Sequence, residues 1–179
     1  MPASASSMRI PIYADPPTMD RIREGFRYCL ETPPGSSYPP IVRPVLIENL
    51  ENSFTIEGAG GPIRFWPHKQ LHGDIHSLGF RIGKLAYCSD ISDFPPESIA
   101  KVQNLDILII DALQYRPHPS HLSLAESLEW IERLAPKHAI LTHMHTPLDY
   151  ETVLAETPDH VEPAYDQMQI ELDVEDDYL

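Results

Sequence analysis

Three apolar runs, each ending in an acid or a histidine, constrain this chain most: Lys84-Leu-Ala-Tyr-Cys-Ser-Asp90, Leu105-Asp-Ile-Leu-Ile-Ile-Asp111 and His138-Ala-Ile-Leu-Thr-His143. A strand covered on both faces reads as a continuous apolar run, because neither side alternates toward water. Where such a strand surfaces at the edge of its layer, its last side chain can face a cleft, and clefts are where chemistry collects. Several strands ending this way predict a sheet that lines one rim with polar ligands.

The rest of the chain supplies elements for such a sheet. Apolar spacing predicts a strand over 10–14 and a helix over 18–30 that buries Ile22, Phe26 and Leu30. A Pro/Gly/Ser loop follows over 31–43, then strands over 45–48, 53–57, 63–67, 77–82 and 84–88, the last two turning at Gly83-Lys84. Pro95-Pro-Glu97 opens a short helix, and 106–111 reads as a buried strand. Ser123-Leu-Ala-Glu126 is a capping box, starting a helix with Leu124, Leu128 and Ile131 on one stripe that stops at Pro136. A strand over 139–142 follows, with a last one over 168–174 before an acidic tail, 175–179. A strand meander followed by alternating strand and helix predicts the α/β or α+β class.

Size and charge narrow the function. A chain of 179 residues fits one domain. With 13 basic and 27 acidic side chains the net charge is −14, which argues against nucleic acid as a partner held by bulk charge. No apolar run approaches the ~18 residues of a membrane span, and Met1-Pro-Ala-Ser-Ala-Ser-Ser-Met8 has neither the basic nor the apolar part of a signal peptide. Cys29 and Cys88 are too few for a disulfide framework, so reduced thiols and a cytoplasmic location are expected.

The candidate chemistry rests on His72, Asp90, Asp111, His121 and His143. Imidazole and carboxylate suit zinc, manganese or iron, and a ligating imidazole needs an acceptor for its other nitrogen. Any one of these histidines also reads as a surface or satisfied core residue. The strand-end placement of Asp90, Asp111 and His143 together is what points to a site. Asp111 reads plainly as a strand-end carboxylate capping loop amides, and support of a ligand rather than direct ligation is the favoured functional role. His76, His118 and His145 read equally well as loop anchors, and Trp66 and Trp130 as core.

In order, His72, Tyr87-Cys-Ser-Asp90, Leu108-Ile-Ile-Asp111-Ala, His121-Leu-Ser, Ile140-Leu-Thr-His143-Met-His145 and Pro163-Ala-Tyr-Asp166 resemble the C-terminal part of metallo-β-lactamase-fold hydrolases. Within that family the segments look most like the branch containing phosphoribosyl cyclic phosphate phosphodiesterase. The resemblance implies an αββα sandwich, incomplete here, and a divalent metal, zinc or manganese, as cofactor. It makes His72 and His143 metal ligands, Asp90 the carboxylate bridging two cations, and His121 the catalytic residue that contacts phosphate or protonates the leaving oxygen. The activity implied is a phosphodiesterase-like hydrolysis by a metal-bound hydroxide. The partner implied is a small phosphorylated substrate, with room left for a homodimer.

Two departures qualify the resemblance. The family's His-x-His-x-Asp-His segment is absent, since the only His-x-His is His143-Met-His145, and Gln167 stands where the family has Gly. The expectation is therefore an N-terminally truncated domain over 1–179, in which 1–7 is disordered and unrelated and at most one cation binds through His72, Asp90 and His143. The rival reading is a catalytically silent remnant, or an interaction protein with an exposed sheet edge. On the truncation reading, DNA upstream of this chain encodes His-x-His-x-Asp-His in the same or a shifted frame. Its absence from the upstream sequence would remove that reading.

Overall fold

A computed structural model describes residues 9–172, so the segment 1–7, the tail 175–179 and the end of the expected strand at 173–174 lie outside the described residues. The chain divides after Asn49 into two compact units. In the first, β1 (Ile10–Ala14) pairs in parallel with β2 (Val42–Leu46), joined through α1 (Pro16–Leu30). Asp15 caps α1 by accepting from the Thr18 amide, with Pro at the start of the helix where a missing N–H costs nothing.

The expected buried stripe of α1 needs correction. Leu30 is buried, but Phe26 is 55% exposed and Met19 takes the interior position instead. Phe26 has non-helical angles (φ −130°, ψ 31°) directly after Gly25, and this kink turns the helix face that a regular 3.6-residue period assumes.

The second unit is built on one seven-stranded sheet, ordered β3-β4-β5-β6-β7-β8-β9. Its strands are β3 (Phe54–Gly58), β4 (Gly61–His72), β5 (Ile75–Ile82), β6 (Leu85–Cys88), β7 (Ile107–Asp111), β8 (His138–Thr142) and β9 (Val161–Pro163). The first four form an antiparallel meander, and β6 to β9 run parallel. With α2 (Pro96–Ile99), α3 (Leu124–Leu134) and α4 (Tyr150–Glu156), this is the expected α/β class and agrees with the fold that the resemblance implies. Among the described residues, no helix is long and apolar enough to cross a membrane.

Three local expectations change. β4 runs on to His72 instead of ending at Pro67, because between Phe65 and Leu71 only β5 pairs with it, so the missing amide of Pro67 breaks no ladder. No strand forms over 168–172, while α4 and β9 appear where no element was expected. Gln167 takes φ 69°, so the turn after Asp166 holds a left-handed residue.

The core packs Leu108 and Ile110 of β7 and Ala139 and Leu141 of β8 against Leu124, Ile131 and Leu134 of α3. The capping box of α3 is present, with Ser123 Oγ accepting from the Glu126 amide and Glu126 Oε2 accepting from the Ser123 amide at 2.8 Å. Trp130 stacks edge-on against Phe94 with ring centres 4.8 Å apart, so it belongs to the core as expected.

His68 on β4 is fully buried, with Nε2 3.5 Å from the thiol of Cys88. Burial, aided by the Lys101 charge, pushes its pKa down from 6.5 to about 4. The unfolded chain therefore binds a proton on His68 that the folded chain refuses, so this contribution is intact above pH 6.5 and lost as pH falls through 4. Between pH 7 and pH 4 the unfolding free energy of wild type should fall about 3 kcal/mol further than that of His68→Leu, measured by urea titration at both pH values. Equal losses would show that His68 does not titrate in this way.

Candidate metal centre

Strand direction assembles the site. β4 and β6 each run antiparallel to β5, and β6, β7 and β8 are parallel, so all four present their C-terminal ends on the same rim. That rim carries His72 at the end of β4, Asp90 two residues past β6, Asp111 closing β7 and His143 one residue past β8. His121 comes from the loop between β7 and α3.

Backbone hydrogen bonds stitch these ends together. The Ser92 amide donates to Leu71 O at 2.7 Å and the Leu71 amide to Asp93 O at 3.0 Å, tying the end of β4 to the loop after β6. The Leu122 amide donates to Ile91 O at 2.8 Å, fixing the His121 loop against the same segment. Asp90 and His143 both hold left-handed backbone, φ 55° and 60°. Asp and His are among the residues that tolerate this region best, yet it still costs about 1–2 kcal/mol, so the surrounding bonds must hold it.

All four residues expected at the site converge. One ligand atom each of His72, Asp90 and His121 lies within 4.8 Å of the others, and His143 Nε2 is 3.1 Å from Asp90 Oδ1. The His121 ring is the hub, centred 4.7 Å from His72 and 4.8 Å from His143. Ligand atoms about tetrahedral zinc, at ~2.0–2.1 Å from it, stand roughly 3.3 Å apart. The Asp90–His143 pair is at that spacing and the triad is looser. Asp90 and His143 have half-exposed side chains, so the cluster opens to solvent.

Tautomers follow from partners that can only accept. His72 Nδ1 lies 2.6 Å from Ser120 O, a carbonyl, so Nδ1 carries the proton and Nε2 keeps a lone pair for a cation. His121 Nδ1 lies 2.6 Å from Asp111 Oδ2, leaving its Nε2 as the working atom. Imidazole nitrogens with oriented partners and a carboxylate fit a divalent cation of the zinc or manganese type.

Asp111 takes the supporting place expected of it. It is fully buried, and Oδ2 also accepts the Ile91 amide at 3.2 Å, which caps the loop after β6. Burial raises its carboxyl pKa, opposed by the His121 and Ile91 hydrogen bonds. His118 is a loop anchor, its Nδ1 accepting from the Ser120 amide at 3.3 Å, with its ring 5.2 Å from His121. Gln70 and Ser77, which reach the backbone at Asp90, had a sequence signal only in the alternation His68-x-Gln70-x-His72, which becomes legible once β4 is known to continue past Pro67.

The family model of the β-lactamase superfamily domain matches residues 2–144. An octanoyltransferase of Porphyromonas gingivalis is 28% identical over 165 residues, 90% of this chain and 32% of its own length. A solved diphosphatase described as new in the PhnP family is 28% identical with a TM-score of 0.78, over 97% of this chain and 63% of that one. Zn(2+)-bound PqqB of Methylobacterium extorquens has the same fold, with a TM-score of 0.69 at 13% identity, over 93% of this chain and 66% of its own. The chain thus spans about a third of the octanoyltransferase and less than two thirds of the diphosphatase.

Replacing Asp111 by Ala leaves the Ile91 amide and His121 Nδ1 without their acceptor. The expected result is a loss of about 1–3 kcal/mol per stranded group in urea unfolding, with wild-type stability as the contradicting result.

Proposed function

Because the chain belongs to the β-lactamase superfamily, which includes hydrolases, we propose that it is a metal-dependent phosphodiesterase acting on a small phosphorylated substrate. The observation that carries this reading is the convergence of His72, Asp90, His121 and His143 on one solvent-open rim. Similarity to a diphosphatase favours cleavage at phosphorus. Acyl transfer, the activity named for the Porphyromonas relative, is less well served, because the cluster holds imidazoles and a carboxylate and no thiol or amine nucleophile. Cys88 is buried, and burial pushes its thiol pKa up, away from the thiolate.

His72, Asp90 and His143 would hold the cation. When bound, it supplies Lewis acidity, lowering the pKa of water and offsetting charge that builds on phosphoryl oxygens. The chain's own groups do the rest. Asp111 fixes the His121 ring through Nδ1, so that a proton carried on Nε2 would be delivered to the departing ester oxygen. The deficit of basic residues leaves attraction of an anionic substrate to the cation and these imidazoles.

Elemental analysis together with hydrolysis of a bis-aryl phosphodiester tests the reading. The expected outcome is up to one zinc or manganese per chain and measurable turnover. Asp90→Ala should lose the metal, whereas His121→Ala should keep it and turn over about 10²–10⁴-fold more slowly. Equal metal loss in both variants would move His121 into the ligand set. Neither metal nor turnover in wild type would favour a silent remnant.

A further inference from the structure

A polar chain, buried at Gln70 and half-buried at Ser77, leads to the backbone of Asp90. His68, Gln70 and His72 alternate along β4 and so share a face, and across the β4–β5 pair they stand opposite Gly79, Ser77 and Ile75. Gln70 is fully buried, and its Nε2 donates to Ser89 O at 2.8 Å and to Ser77 Oγ at 3.0 Å. Ser77 Oγ in turn donates to Asp90 O at 2.7 Å. The directions are fixed: both carbonyls can only accept, so the amide nitrogen of Gln70 must face Ser89 and the Ser77 proton must go to Asp90.

These bonds grip the peptide groups on both sides of the Asp90 Cα. The Ser89 carbonyl belongs to the peptide before it and the Asp90 carbonyl to the peptide after it. The Ile91 amide, in that second peptide, is held from its other side by Asp111. Fixing both planes fixes φ and ψ, and the φ of 55° is one that a non-glycine residue does not hold unaided. Gly79 is part of the arrangement. A Cβ there would collide with His68 Nε2 and Gln70 Oε1, so glycine leaves room for the two side chains.

We infer that Gln70 and Ser77 are positioning residues for the metal centre, holding the strained backbone at Asp90 so that its carboxylate meets His143 at the rim. The inference rests on the metal-site reading above. It differs from a purely structural role in what it predicts: loss of the clamp weakens cation binding, and the stability of the fold need not follow.

Zinc affinity, measured by competition with a chromophoric chelator, and His143 imidazole ¹⁵N shifts in the metal-free chain test it in wild type, Ser77→Ala, Ser77→Thr and Gln70→Leu. The expectation is a 10–100-fold weaker zinc affinity in Ser77→Ala and Gln70→Leu, restored by Ser77→Thr, which keeps the hydroxyl. Should Gln70→Leu not fold, Ser77→Ala and its threonine rescue carry the test alone. If wild type binds zinc and both the Ala and Leu variants bind it equally well, the positioning role is wrong and the metal site stands. If wild type binds no zinc, the metal reading fails. The clamp is then judged by the imidazole shifts, which support it if they move in Ser77→Ala and return in Ser77→Thr, and overturn it if they stay unchanged.

Discussion

The shared direction of β4, β6, β7 and β8 is the constraint on which the site depends. Because β5 reverses the chain between β4 and β6, and because β6 to β8 are parallel, four chain segments separated by up to 71 residues end on one rim. A polar side chain placed midway along β7 or β8 would meet apolar core. Placed just past their ends, it meets the others. This is the general tendency of parallel sheets to gather ligands beyond the carboxyl ends of their strands.

Gathering the ends is not enough, since the side chains must also be aimed. Two of them, Asp90 and His143, sit on left-handed backbone, which turns the chain sharply where it leaves the sheet. The opposing stabilisation is local: Gln70 and Ser77 on one side of Asp90, and the buried carboxylate of Asp111 on the other. Asp111 links the backbone after β6 to the His121 ring through a single oxygen, so one buried charge organises two parts of the site. That arrangement is costly to bury and correspondingly hard to replace.

Much of this was legible because the parallel strands are apolar on both faces and so announce themselves, and because their terminal residues are chemically conspicuous. Asp90, Asp111 and His143 could be picked from sequence for that reason, whereas the roles of His72 and His121 came with the family resemblance. The capping box at Ser123 is equally local and equally readable. What escaped was non-local. Pro67 looks like the end of a strand until it is known that β3 stops pairing at Phe65. The helix face of α1 fails at Phe26 because a kink, rather than composition, sets which side is inward. Gln70 and Ser77 are ordinary polar residues whose importance exists only across a strand pair. The proposed cation and reaction class draw on the family comparison, because the sheet alone does not choose a chemistry.

X-ray absorption spectroscopy of the chain loaded with one equivalent of zinc tests the central claim most directly. A centre formed by His72, Asp90 and His143 predicts nitrogen and oxygen neighbours at about 2.0–2.2 Å with the outer-shell scattering of imidazole rings, and loss of that signal in Asp90→Ala. An all-oxygen shell without imidazole scattering, or the same spectrum in Asp90→Ala, would contradict it.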